Sequence, residues 1–177
     1  MHRDWTRSLT ALLASVSLLA ATSVAPLELP NHRLTPGAVG SIEGPALRVS
    51  QICLRGYSRS VRHRYDAEWR RYRTAMFREY GIPHELWSHY TVDHLVPLEL
   101  GGRPFGFVGN VWDLRNVWPE PKAEAERKDA VERALHAAVC YRDGYRGLHL
   151  TLEQADTAIA RDWTRTPVGL PVSRGNE

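Results

Sequence analysis

Asp93-His94 runs into Leu-Val-Pro-Leu-Glu-Leu-Gly101-Gly102, and further on the chain reads Arg115-Asn116-Val117-Trp118-Pro119-Glu120. An imidazole with a pKa near ~6.5 can take a proton from water. A carboxylate beside it can hold a hard divalent ion, Mg²⁺ first and Mn²⁺ next, that would neutralise a phosphoryl oxygen and steady a leaving oxygen. Those are the needs of phosphodiester hydrolysis. The pairing carries a structural condition, because adjacent residues of a strand point to opposite faces. Asp93 and His94 serve one centre only where the strand twists or ends.

The elements that must position this pair are legible in outline. Thr91 to Leu100 has the β-branched and apolar content of a strand, with Pro97 marking an edge or a kink. Gly101-Gly102 turns the chain, and Arg103 to Asp113 is expected to supply the loop and second strand of a hairpin. Pro119 to Cys140 is predicted to be a helix, with Ala125, Val131, Leu135 and Val139 on its apolar face. Upstream, Leu47 to Leu54 alternates weakly and reads as a short strand. Val61 to Tyr80 reads as a helix, with Tyr65, Trp69, Tyr72, Met76 and Tyr80 at three- and four-residue steps, and Gly81-Ile82-Pro83 ends it. His84 opens a short element through Tyr90. Thr151 to Trp163 is a final amphipathic helix, with Thr151 as a candidate N-cap.

Charge is concentrated. The chain carries +3 overall, yet Arg48 to Tyr80 holds nine arginines against Asp66, Glu68 and Glu79. A local excess of this size suits a polyanionic partner, although an arginine-rich helix can also be a solvated face. There is no glycine-rich phosphate loop and no G-x-S-x-G elbow. Residues 1–23 read as an export signal, with Arg3 and Arg7 ahead of an uncharged run from Leu9 to Ala21 that is shorter than the roughly 20 residues needed to span a bilayer. No later stretch could span a membrane. Cys53 and Cys140 are an even pair, and in an exported chain such a pair reads as a disulfide closing a long loop, worth about 4 kcal/mol; two buried thiols are the alternative. Neither lies in a Cys-x-x-Cys pair, so spacing offers zinc no support. His136 reads as a core or helix-end residue.

The run Asp93 to Gly102, followed by Arg115 to Pro121, resembles the HNH nuclease superfamily with its ββα-metal fold. More narrowly, the chain is similar to small exported bacterial proteins built on Asp-His-x-x-Pro-Leu-x-Leu-Gly-Gly, Arg-Asn-Leu-Trp-Pro-Glu and Lys-Asp-x-x-Glu. Thr35 to Ala38, Ile52 to Ser58, Lys128-Asp129 with Glu132, and the terminal helix extend the likeness over residues 34–163. The resemblance implies an α+β, mainly helical single domain around a hairpin–helix core. Residues 24–46 would be an N-terminal arm, 47–166 the nuclease domain and 167–177 a mobile tail.

On this resemblance His94 is the general base, Asp93 a metal ligand, and Asn116 the residue that orders the loop and orients the histidine. Asn116 is a better match than Asn110 of the neighbouring Asn110-Val111-Trp112 doublet, because Pro119-Glu120 follows it. The third motif position has no His or Asn between Pro119 and Asp129. Asp129 is therefore the expected second ligand, ahead of Glu124 and Glu126. Arg103, Arg115 and Lys128 are candidates for phosphate contact. The implied function is an exported endonuclease, periplasmic or secreted, that uses Mg²⁺ or Mn²⁺ and cuts DNA, and RNA as well, with little sequence preference. The alternative is a non-catalytic nucleic-acid-binding or envelope protein on a degenerate scaffold.

Overall fold

The architecture is built outward from one antiparallel hairpin. The computed structural model describes residues 29–39, 47–64, 66–104, 106–108 and 111–169; the expected signal segment and residues 170–177 of the expected tail lie outside them. In chain order the helices are α1 (Val49–Ile52), α2 (Tyr57–Arg64), α3 (Asp66–Glu79), α4 (Lys122–Cys140) and α5 (Leu152–Asp162), and the strands are β1 (Tyr90–His94), β2 (Gly106–Val108), β3 (Val111–Asp113) and β4 (Val117–Pro121). Short 3-10 turns at His84–His89, Leu98–Leu100 and Trp163–Arg165 join them. This is an α+β, mainly helical single domain.

Three expectations shift. The partner of β1 is β4, in a register that sets Asp93 opposite Trp118 and His94 opposite Val117. The segment expected to supply that partner instead forms its own small hairpin, β2 with β3. Strand β4 hides in the sequence because all five of its residues are buried, so it shows no alternation. Pro119 and Pro121 read as a helix start, yet α4 begins at Lys122 with Pro121 as N-cap. The two prolines sit two residues apart on a strand with a single partner, so the N–H positions they lack can both face the open edge. Finally, Val49–Ile52 is a helical turn rather than a strand. Its N-cap is held by Arg48 N–H donating to Gln51 Oε1 at 2.9 Å, which favours a turn over an extended run.

The hairpin divides the core. On one side Tyr72, Met76 and Phe77 of α3 pack with Ile82, Tyr90, Val92 and Val117. On the other, Val96 and Leu100 meet Val131 and Leu135 of α4, Ala155 and Ile159 of α5, and Trp163. Tyr72 and Met76 of the expected stripe thus lie in the core with Tyr80 packed against it, whereas Tyr65 and the Trp69 side chain lie outside what is described. Helix α5 starts at the expected cap: Thr151 Oγ1 accepts from Gln154 N–H at 3.1 Å, and Gln154 Oε1 accepts from Thr151 N–H at 2.9 Å. Cys53 and Cys140 are joined by a disulfide that ties α1 to the end of α4. No helix among the described residues is long and apolar enough to cross a membrane.

Part of the expected arm is bound into the domain. Thr35 is fully buried, and its hydroxyl lies 2.8 Å from the Val117 carbonyl, 2.9 Å from the Leu114 carbonyl and 2.6 Å from Tyr80 Oη. Gly37 N–H donates to the Arg115 carbonyl at 2.8 Å, and Arg103 N–H to the Ala38 carbonyl at 2.7 Å. These bonds clamp the two sides of the segment that carries the β2–β3 hairpin, at Arg103 and at Leu114 to Val117.

Candidate functional site at the end of strand β1

Strand β1 alternates in burial, with Tyr90, Val92 and His94 buried and Thr91 and Asp93 less so. The alternation sends Asp93 towards α4 and leaves His94 in the buried row, 8% exposed. Lys128 of α4 meets Asp93 there. Its ammonium is completely buried and lies 2.6 Å from Asp93 Oδ2 and 2.8 Å from the His94 carbonyl, with Glu132 Oε1 as a third partner. An ammonium has three protons, and these three acceptors can take all of them.

Asn116 acts on the backbone that follows His94. Its Oδ1 accepts from Val96 N–H at 2.9 Å while its Nδ2 donates to the Val96 carbonyl at 2.9 Å and to the Arg103 carbonyl at 3.0 Å. Its own carbonyl accepts from Leu95 N–H at 2.8 Å. The side chain thereby mimics a strand partner for Val96 and closes the loop at Arg103. Gly102 makes this possible: a Cβ there would lie 1.8 Å from the Val96 oxygen and 2.9 Å from Asn116 Nδ2. Gly101, at φ 79°, caps the preceding 3-10 turn in the left-handed region.

The electrostatics follow from burying several charges around one cation. For Asp93, burial works to raise the pKa, but the Lys128 ammonium and the neighbouring His94 hold the carboxyl below its usual value. Burial pushes His94 down to about 4 against the pull of Asp93, and Arg62 of α2 adds to the depression. Its ring is therefore neutral at neutral pH. Burial and the adjacent Asp93 push Glu120 up to about 8, and burial pushes Glu132 up to about 8 against the Lys128 charge. Lys128 is stabilised in its charged form, because Asp93, Glu132 and Glu120 together outweigh the cost of burial.

Asp93, His94, Asn116 and Lys128 thus come together. Asp129 is exposed on α4 and acts on the cluster through its charge on Glu120. Arg115 is exposed and Arg103 partly so. Among the described residues no group of three ligand-type side chains forms around Asp93, and Asp129, the expected second ligand, is exposed on α4. The positive charge against Asp93 belongs to Lys128, which an ion would have to displace.

Sequence reasoning did not single out Glu120 or Arg62. Glu120 was visible only as part of a motif, since its burial comes from a strand with no alternation. Arg62 was one of nine arginines, and only the fold brings its charge to bear on His94. Compared with family models, curated proteins and solved structures, the chain matches none.

Proposed function

We propose that the protein is an exported endonuclease of HNH type that hydrolyses nucleic-acid phosphodiester bonds with little sequence preference. One observation carries the reading: a hairpin of β1 and β4 leads directly into α4, with Asp93-His94 at the strand end and Asn116 bracing the loop between. His94, neutral in the free protein, is able to accept a proton from an attacking water. A phosphodiester is an anion, and its approach would raise the basicity of an imidazole that burial has depressed. Lys128 fixes the His94 carbonyl and the Asp93 carboxylate, so both act as parts of one rigid strand end. Arg62 and the arginines of α2 supply the charge that draws in a backbone of phosphates. The disulfide agrees with an oxidising compartment, periplasmic or extracellular.

Nicking of plasmid DNA by the purified chain, with RNA as a parallel substrate, tests this reading. His94→Ala is expected to lose at least ~10²-fold. Assays with Mg²⁺, with Mn²⁺ and with chelator show whether an ion displaces Lys128 or whether the protein's own groups suffice. Equal cleavage by the His94→Ala chain would sink the proposal.

A second reading is favoured by the burial of His94 and the engagement of Asp93 by Lys128. In it the scaffold binds nucleic acid, or serves the envelope, without cutting. Salt-sensitive DNA binding with no cleavage in any of these conditions identifies it.

A further inference from the structure

Among the described residues, the group of ligand-type side chains that does converge lies at the far end of α4. Cys53, His136 and Cys140 bring their donor atoms within 4.8 Å of one another, and all three are partly exposed. His136 Nε2 is 3.4 Å from Cys140 Sγ, one helical turn apart on the same face. We propose that these three residues form a zinc site when the disulfide is reduced, a redox-gated Cys₂His centre separate from the nucleic-acid reading.

The geometry is close to what zinc requires. Zn–S bonds of ~2.3 Å and Zn–N bonds of ~2.05 Å at tetrahedral angles place S and N roughly 3.5 Å apart and two sulfurs roughly 3.8 Å apart. The His136–Cys140 edge already has that length. The two sulfurs must separate by roughly 2 Å, and their Cα atoms, 5.4 Å apart, leave room for side-chain rotation to do so. Two thiolates and an imidazole are a borderline-soft donor set that suits Zn²⁺ and does not suit Mg²⁺. A water completes the tetrahedron.

The chemistry balances. A dithiol reductant gives two electrons and two protons, its own thiols becoming a disulfide as the Cys53–Cys140 bond becomes two thiols. Zn²⁺ then takes the place of the two thiol protons, which leave to solvent. In an oxidising compartment the covalent bond ties α1 to α4; in a reducing one the metal would make the same tie.

The test uses the full chain, reduced with a phosphine that is removed before metal is added, so that no reductant thiol competes. Co²⁺ serves as the spectroscopic probe. The reduced chain is expected to bind one equivalent, with thiolate charge-transfer bands and the intense d–d bands of tetrahedral coordination, and to release it to Zn²⁺. The oxidised chain is expected to show neither. His136→Ala, which keeps both thiols, is expected to weaken Zn²⁺ binding more than ~100-fold, beyond what outer-shell changes cost. Should reduction unfold the chain, circular dichroism takes over as readout: Zn²⁺ should restore helix in the wild type and fail to in His136→Ala. Absence of charge-transfer bands on the reduced chain would overturn the proposal. So would equal Zn²⁺ affinity in the wild type and His136→Ala, folded or unfolded.

Discussion

Lys128, Glu132, His136 and Cys140 stand four residues apart, so they form one row along α4. The two ends of that row solve the same problem by different physics. At the Lys128 end α4 is fastened to β1 by a buried ammonium that reaches the Asp93 carboxylate and the His94 carbonyl, with the Glu132 carboxyl of α4 as its third partner. At the Cys140 end it is fastened to α1 by a covalent bond with an imidazole beside it. The first fastening answers to pH and the second to redox potential. A single helix can thus be loosened at either end by a different change in its surroundings.

The largest expected effect is at the covalent end. The bridged cysteines are 87 residues apart, and chain entropy gives such a closure ~4–5 kcal/mol. A Cys53→Ser, Cys140→Ser chain should lose about that much in denaturant unfolding; a loss under ~1 kcal/mol would show that the rest of the fold already restrains the loop. At the ionic end, Lys128→Met leaves Asp93 and Glu132 without their cation and should cost ~3–5 kcal/mol. Adding Asp93→Asn should recover part of it, because the uncompensated charge is what destabilises. If Lys128→Met is neutral in the same unfolding assay, the ionic end is not a fastening at all.

The ionic end should also report pH. His94 has a folded pKa of about 4 against 6.5 when free, so between those values the unfolded chain binds the extra proton. Stability from this group is therefore complete above pH 6.5 and is lost on acidification towards pH 4, by up to ~3 kcal/mol. Glu120 and Glu132, each raised to about 8, pull the other way between about 4.5 and 8, because their protonated forms belong to the folded chain. Comparing the melting temperature of the wild type with His94→Gln over this range isolates the histidine, and parallel profiles would dismiss its part. The smallest effect lies in the loop that follows β1. Asn116→Ala strands the polar backbone of Val96 and the Arg103 carbonyl and should cost ~2–3 kcal/mol. Hydrogen exchange at Val96 N–H should rise more than at β4, which keeps its own ladder.

The sequence carried the parts of this comparison that depend on local chemistry. The Thr151 cap, the Gly101-Gly102 turn, the buried face of α3 and the Cys53–Cys140 pairing were legible, because each rests on residue type or short-range periodicity. Asn116 was singled out through the Pro-Glu that follows it, and its side chain braces the loop after β1; Asn110 lies outside the described residues. Strand β4 was not, since full burial erases alternation and its prolines mimic a helix start. The role of Lys128 was not either: spacing makes it a surface cation, and only the packing of α4 on β1 buries it. His136 was passed over because its partner is four residues on in sequence, whereas the third member of its group, Cys53, comes from the other half of the chain.

Thr35 reaches the Val117 carbonyl across 82 residues, and Cys53 reaches Cys140 across 87. Contacts this distant in sequence slow folding, because the loop between them must close before it is rewarded. They also impose an order during synthesis. The amino-terminal third cannot complete its packing until α4 has left the ribosome, so Thr35 and Cys53 must wait with their partners still unmade. Were the chain exported, as proposed, that delay would keep the domain open for translocation and leave its last lock to be set on the far side.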